Sequence, residues 1–316
     1  MEKRKFYPHY LGVIVKGMAM GAADVIPGVS GGTIAFISGI YEELLSSIRS
    51  INLDNFRLLF RKDGLSLFWK AINGNFLLSV FVGILVSIFS LANLLQYLLQ
   101  FYPILVWSFF FGLILSSSWI VAKKVKRKTL EVLAAFLLGG AAAFYITVAT
   151  PTQTPNDYWF VFLSGAIAIC AMILPGISGS FILLLLGKYF FVLSAVTSFN
   201  IPVLGIFAVG ALVGIISFSN LLTWLLRKYH DITIGVLAGF MIGSLNKLWP
   251  WKVVQETFTN SHGEVMPLLE KNVAPSVFEA STGSPSMVGF ALLFMLIGVS
   301  IITLIEIIAS RFSKSN

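Results

Sequence analysis

The heptapeptide Pro27-Gly28-Val29-Ser30-Gly31-Gly32-Thr33 returns as Pro175-Gly176-Ile177-Ser178-Gly179-Ser180-Phe181, 148 residues further along the chain. The likeness runs without a gap over residues 17–52 against 165–200, where about 13 of 36 positions are identical, among them Gly39/Gly187, Tyr41/Tyr189 and Asn52/Asn200. A second block repeats at a shift of 127, residues 83–117 against 210–244, and aligns Asn93 with Asn220, Tyr102 with Tyr229 and Gly112 with Gly239. The two shifts differ by 21, which places one insertion in the first half at about residues 53–74. Two homologous halves, each opening with an apolar segment broken by proline and glycine, are the sequence mark of a membrane transporter built from repeats.

A mean hydropathy of +0.88, with 57% apolar and 11% charged residues, excludes an ordinary soluble domain. Apolar stretches long enough to span a bilayer lie at about 76–99, 104–122, 130–149, 201–226, 232–249 and 287–309. Two broken pairs flank the repeated motif, at about 10–26/30–48 and 158–174/178–198. The net charge of +8 could point to nucleic acid, but its placement argues otherwise. With the N-terminus in the cytoplasm, 17 of the 22 basic residues fall in cytoplasmic segments, as the positive-inside rule requires. Lys247, Lys252 and Lys271 fall outside, and Lys16 and Lys188 lie within apolar segments. Each broken pair returns the chain to the side it entered from, so three single spans set the second half in the opposite orientation.

The expected fold is therefore an all-α polytopic integral membrane protein of two inverted-topology repeats. Each repeat is a Pro/Gly-broken, re-entrant helical hairpin followed by three transmembrane helices. The chain reads as one transporter domain, with repeat 1 at about 9–150, repeat 2 at about 157–310 and a long external loop at about 251–286. That loop is a candidate lid over the outer mouth. Residues 53–74 mix Phe56, Leu58, Phe60, Leu65 and Trp69 with basic residues and read as one or two amphipathic interfacial helices. The lone Cys170 excludes an internal disulfide and reads as a small packing residue. The charged, then apolar N-terminus resembles a signal peptide, but Lys16, Asp24 and the motif interrupt it too early, so it is expected to be retained.

The chemistry of the motif follows from its backbone. Proline and glycine end one helical stretch, and Ser-Gly-Gly or Ser-Gly-Ser starts another. A helix start presents free N–H groups and the positive end of the dipole. Glycine permits close approach, and Ser30, Thr33, Ser178 and Ser180 add hydroxyls, a set suited to an anion and to phosphate above all. The candidate phosphate-binding residues are thus Ser30, Gly31, Gly32, Thr33, Ser178, Gly179 and Ser180, with Lys16 and Lys188 supplying charge. Ionisable residues in apolar segments are functional candidates by default, which makes Asp24, Glu42 and Glu43 candidates for a coupling proton. Lys16 and Asp24 lie about 12 Å apart along a continuous helix, too far for direct pairing. The competing structural reading is that Pro-Gly kinks and small residues merely allow tight helix packing.

The run Gly21-Ala22-Ala23-Asp24-Val25-Ile26-Pro27-Gly28-Val29-Ser30-Gly31-Gly32-Thr33, followed by Gly39-Ile40-Tyr41-Glu42, resembles the bacterial polyprenyl-phosphate translocases of the PopT family. The likeness covers nearly the whole chain, including the second motif. The resemblance implies recycling of undecaprenyl phosphate, the carrier lipid of cell-envelope glycan synthesis, from the outer to the inner leaflet of the bacterial cytoplasmic membrane. It does not fix which residues bind substrate. A small-anion channel or exchanger would use the same helix-start cradle without a lateral opening for a tail. A membrane phosphatase or glycosyltransferase would need a base, nucleophile or metal set. The three histidines His9, His230 and His262 all lie near membrane ends or in loops, no carboxylate cluster has metal spacing, and no cofactor is expected.

Overall fold

The computed structural model describes residues 3–26, 29–259 and 265–314. Helix α1 (Lys3–Val25) stops just before the first motif, whose Pro27 and Gly28 lie outside the described residues. Helices α2 (Gly31–Ile37) and α3 (Tyr41–Arg49) follow, then α4 (Leu53–Phe56), a 3-10 turn (Arg57–Phe60) and α5 (Gly64–Ala71). Three long helices complete the first half: α6 (Gly74–Phe101), α7 (Pro103–Lys123) and α8 (Leu130–Val148). The second half repeats the order with α9 (Tyr158–Ile173), α10 (Gly179–Leu185), α11 (Tyr189–Thr197), α12 (Ile201–Lys228) and α13 (His230–Ser244). A 3-10 turn (Leu245–Leu248), strands β1 (Lys252–Thr259) and β2 (Val265–Asn272), α14 (Pro275–Thr282) and α15 (Val288–Lys314) complete the chain. Five helices are long and apolar enough to cross a membrane, or six if α10 and α11, bent by 109°, count as one span. The protein is an all-α, multi-pass membrane protein.

Both short-helix pairs break at aligned glycines. Gly39 separates α2 from α3 with φ +75°, and Gly187 separates α10 from α11 with φ +63°. This left-handed backbone is open to glycine and strained for side-chain-bearing residues, so it ends the helix and redirects the chain. Long helices then pack through small residues. Gly17 and Gly21 of α1 lie against the backbone of Val80 and Ile84 on α6, while Gly83 of α6 lies against Ile14. The second half repeats this contact, with Gly165 of α9 against Phe207 on α12, and Gly210 and Gly214 of α12 against Phe162 and Ala166.

The third helix of each half packs on the other half. Helix α15 lies against α7, where Gly112 meets the backbone of Met295 and Gly298 that of Phe109. Helix α8 lies against α13, where Gly239 meets the backbone of Phe136 and Gly139 that of Val236. As a result α7 and α13 form the centre, each with 61% of its span buried, whereas α8 and α12 bury only 22% and 17% and turn apolar side chains outward. Residues 53–74 form short helices with Leu53, Phe60 and Leu65 exposed by 81%, 90% and 74%, the character expected of an interfacial segment.

Residues 251–286, read from sequence as a long loop, are instead an antiparallel hairpin followed by α14. Pro267 argued against a strand, yet it sits in β2 opposite Thr257, in a two-strand ribbon whose register shifts on either side of Glu256. A ribbon with both strands at the edge leaves room for a residue that cannot donate to the ladder. Two indoles clamp its base: Trp249 Nε1 donates to Val273 O at 2.8 Å, and Trp251 Nε1 donates to Ser286 O at 2.8 Å.

Candidate functional site

Helix α9 ends at Ile173 inside the protein, because Pro175 cannot continue it. Its last carbonyls have no partner within the helix. Groups from the first half fill that need. Ser30 Oγ donates to Met172 O at 2.8 Å, and Tyr41 Oη donates to Ile173 O at 3.2 Å. In return Gly176 N donates to Thr33 Oγ1 at 2.9 Å, with Gly176 at φ +100°. Gly32 lies so near the α9 end that a Cβ there would meet Met172 O at 2.9 Å. The two motifs are therefore knitted together, as the duplicated sequence led us to expect. Ser30 and Thr33 are fully buried, however, and their hydroxyls serve this junction rather than a shared open cradle.

The two helix starts differ in what occupies them. Ser30 caps α2 by accepting from Gly32 N at 3.1 Å, and Gly31 N donates to Asp24 Oδ1 at 2.7 Å. A carboxylate of the chain thus already sits where α2 would hold an anion, and it has no basic partner among the described residues. At α10, Ser178 is the cap and accepts from Phe181 N at 3.2 Å, and its hydroxyl lies 3.0 Å from that of Ser180. The residue aligned with Asp24 in this half is Met172, which carries no charge. Ser180 is exposed, whereas its aligned partner Gly32 is buried. The start of α10, with Ser178, Gly179 and Ser180, is the one that faces open space.

The other sequence candidates scatter. Lys188 is 1% exposed, and its ammonium donates to Thr154 O and Asn156 Oδ1, both at 2.7 Å, between the rings of Phe160 and Phe191. It ties the connection after α8 to the second short-helix pair instead of charging the motif, because those acceptors lie within reach and the motif's do not. Glu43 accepts from Asn73 Nδ2 at 3.0 Å and joins α3 to the start of α6, while Glu42 is exposed. Both stand one turn beyond the Gly39 break and take no part in the junction. Lys16 is half-buried and shares the stripe of α1 that carries Val13, Met20 and Ala23 toward the core.

One mouth of the molecule was not foreseen. A cavity of about 370 Å³ lies between α10 and the hairpin, lined by Phe181, Leu184 and Leu185 on one side and by Lys247, Lys252 and Glu270 on the other. Lys247 Nζ sits 4.8 Å from the centre of the Phe181 ring, a cation–π contact. At the opposite, basic end the corresponding helix is covered: Phe36 of α2 is 4% exposed with Lys124 Nζ 4.9 Å above its ring. The coverage extends to α3, which packs on α12 in one cluster with Leu45, Leu222 and Leu226. Among the described residues α11 makes no comparable packing on α6. The molecule is thus shut at its basic end and open at its hairpin end.

Residues 20–266 match the VCA0040-like family, described as undecaprenyl phosphate translocase-like. The chain belongs to this family. The match spans both motifs, the Lys247–Phe181 contact and the first strand of the hairpin. A protein of Vibrio cholerae serotype O1 named polyprenyl-phosphate transporter is 49% identical over 303 residues, covering 96% of this chain and 98% of that protein. A Staphylococcus aureus protein of the same name is 34% identical over 255 residues, covering 75% of this chain and 85% of that protein. No solved structure matches the chain.

Proposed function

We propose that this member of the VCA0040-like family is a translocase, not an enzyme, that carries undecaprenyl phosphate, or a related polyprenyl phosphate, from the outer to the inner leaflet of the bacterial cytoplasmic membrane. Both termini and the basic segments then lie in the cytoplasm, and the hairpin lies outside. The names of the relatives support the substrate class. The physical need is clear: a bare phosphate cannot enter hydrocarbon, since desolvating an ion costs tens of kcal/mol in the Born limit. The protein must replace that hydration at mid-depth while the prenyl tail stays in lipid. A wholly apolar groove of about 430 Å³, lined by Leu95, Leu98, Phe109, Phe110 and Phe294, offers such a tail a place beside α6, α7 and α15. A small anion has no use for it.

The observation that carries the reading is the occupant of the α2 start. Asp24 holds the Gly31 N–H as a phosphate oxygen would, and its aligned position at α10 is empty of charge. The head group binds first at Ser178, Gly179 and Ser180, on the side open to the hairpin. Protonation of Asp24 removes its charge and weakens its hold on Gly31, so the α2 start becomes free for the phosphate as the molecule opens at the basic end. Lys16, on the core stripe of α1, supplies the additional positive charge that helix ends of about half a unit each cannot. Proton uptake and phosphate transfer are then one event. The test is inward movement of polyprenyl phosphate in proteoliposomes with and without an imposed pH difference. The wild type is expected to respond to the gradient, and Asp24→Asn to move lipid at one rate regardless of it. A full gradient response in Asp24→Asn sinks the coupling, and chloride flux without lipid movement in the wild type sinks the translocase reading.

A further inference from the structure

We propose that the cavity beneath the hairpin is a phosphate-capture site, in which Lys252, Lys247 and Lys271 take a phosphate dianion in exchange for the resident carboxylate of Glu270. The inference deepens the translocase reading and rests on it for which phosphate compound is bound in the cell. The site itself stands on separate geometry.

Lys252 begins β1 and turns inward, so that only 6% of its side chain is exposed. Its ammonium makes no hydrogen bond and lies 3.7 Å from the centre of the Trp107 ring on α7. An ammonium carries three N–H donors, and burying them without acceptors is costly, which marks the position as built for a ligand. The single nearby anion is shared. Glu270 Oε2 lies 3.6 Å from Lys247 Nζ and 3.6 Å from Lys252 Nζ, beyond a good hydrogen bond to either. The charged residues lining the cavity are Lys247, Lys252, Lys271 and Glu270, which leaves two positive charges uncompensated. Burial pushes Lys252 down to about 8, an effect Glu270 partly offsets and Lys247 adds to. A dianion between the lysines reverses each of these penalties.

Size and position agree. A cavity of about 370 Å³ lies at the small end of ligand pockets, which suits a head group and excludes a folded chain. Its inner wall is Phe181 of α10, the residue that follows Ser180 at the open helix start. A head group held at Lys252 and Lys247 is therefore delivered to the adjoining helix start without crossing apolar surface.

Inorganic phosphate and the head of a prenyl phosphate share this chemistry, so both serve as probes. The measurement is saturable binding of radiolabelled inorganic phosphate and radiolabelled farnesyl phosphate to the full chain in nanodiscs. Lys252→Met should weaken binding about tenfold or more, the value of one charged hydrogen-bonding partner. Glu270→Gln should tighten it, because the competing carboxylate is gone while the side chain keeps its shape. If the lysines and Glu270 merely hold the hairpin in place, Glu270→Gln loosens the pocket and binding weakens. Tight farnesyl phosphate with weak inorganic phosphate assigns the lipid head as ligand, and equal affinities assign the free ion. Unchanged binding in Lys252→Met, or weaker binding in Glu270→Gln, overturns the site, and Glu270→Gln carries the test alone if Lys252→Met does not fold. Phosphate binding by a wild type that moves no lipid overturns the translocase reading and leaves the capture site standing.

Discussion

Replacing Thr33 by valine removes one oxygen from the middle of the molecule and little else. Thr33 is fully buried, and its Oγ1 is the acceptor for Gly176 N at 2.9 Å. Valine fills the same volume with a methyl group, so the main loss is the acceptor. The Gly176 N–H belongs to the backbone and cannot be removed with it, and it is left in the core unsatisfied. An abandoned buried donor costs about 1–3 kcal/mol. Two bonds from the same half to the α9 end survive, Ser30 to Met172 O and Tyr41 to Ile173 O. The variant should therefore insert and fold, with a loosened junction between the motifs. Thermal unfolding in detergent should fall by about 2–4 °C for each kcal/mol lost. Lipid-phosphate transport per folded molecule should fall as well, since the two helix starts are held in register by this bond. Thr33→Ser retains the oxygen and should lie much nearer the wild type in both assays. A Thr33→Val protein with wild-type melting temperature would refute the reasoning, because Gly176 would then have to be satisfied by some other group.

Lys188→Met should act through the chain segment it anchors. It removes two donors from Thr154 O and Asn156 Oδ1, so proteolysis between α8 and α9 should quicken while phosphate binding stays within about twofold of wild type. A tenfold loss of phosphate binding would return Lys188 to the site. Lys252 sets a stability window in pH. Its folded value of about 8 lies below its ordinary 10.5, so from about pH 8 to 10.5 the unfolded chain holds a proton that the folded chain has released. Folding stability gains with pH across that window and bears the full cost of the buried charge below it. The denaturation midpoint of the wild type should thus rise relative to Lys252→Met between pH 8 and 10.5, and parallel curves for the two would place the side chain in water.

The spanning helices and the duplicated motif were legible because apolar length and Pro-Gly breaks are local signals. Stretches expected at 104–122 and 201–226 are the helices Pro103–Lys123 and Ile201–Lys228. The partners of the candidate side chains were not local. Asp24 caps a helix seven residues downstream across a break, which no capping pattern encodes. Lys188 looked like a charge beside the motif, but its acceptors come from residues 154 and 156, more than thirty positions earlier. The mouth lysines were set aside as outside charges for the same reason: only the β1–β2 register, unannounced by a strand containing Pro267, brings Glu270 to Lys252. Composition located the membrane, and pairing across distance located the chemistry.

The exchange of third helices also dictates an order of assembly. Helix α7 is made early, yet its close-packing surface at Gly112 is completed by Met295 and Gly298 of α15, at the far end of the chain. A ribosome delivers domains from the N-terminus at about 5–20 residues per second, so the first half waits several seconds with that groove facing lipid or an insertion factor. Neither half is a finished object in the interim. A chain truncated before α15 would leave the central helix of the first half without its neighbour, and quality-control proteases would meet it as an unassembled subunit.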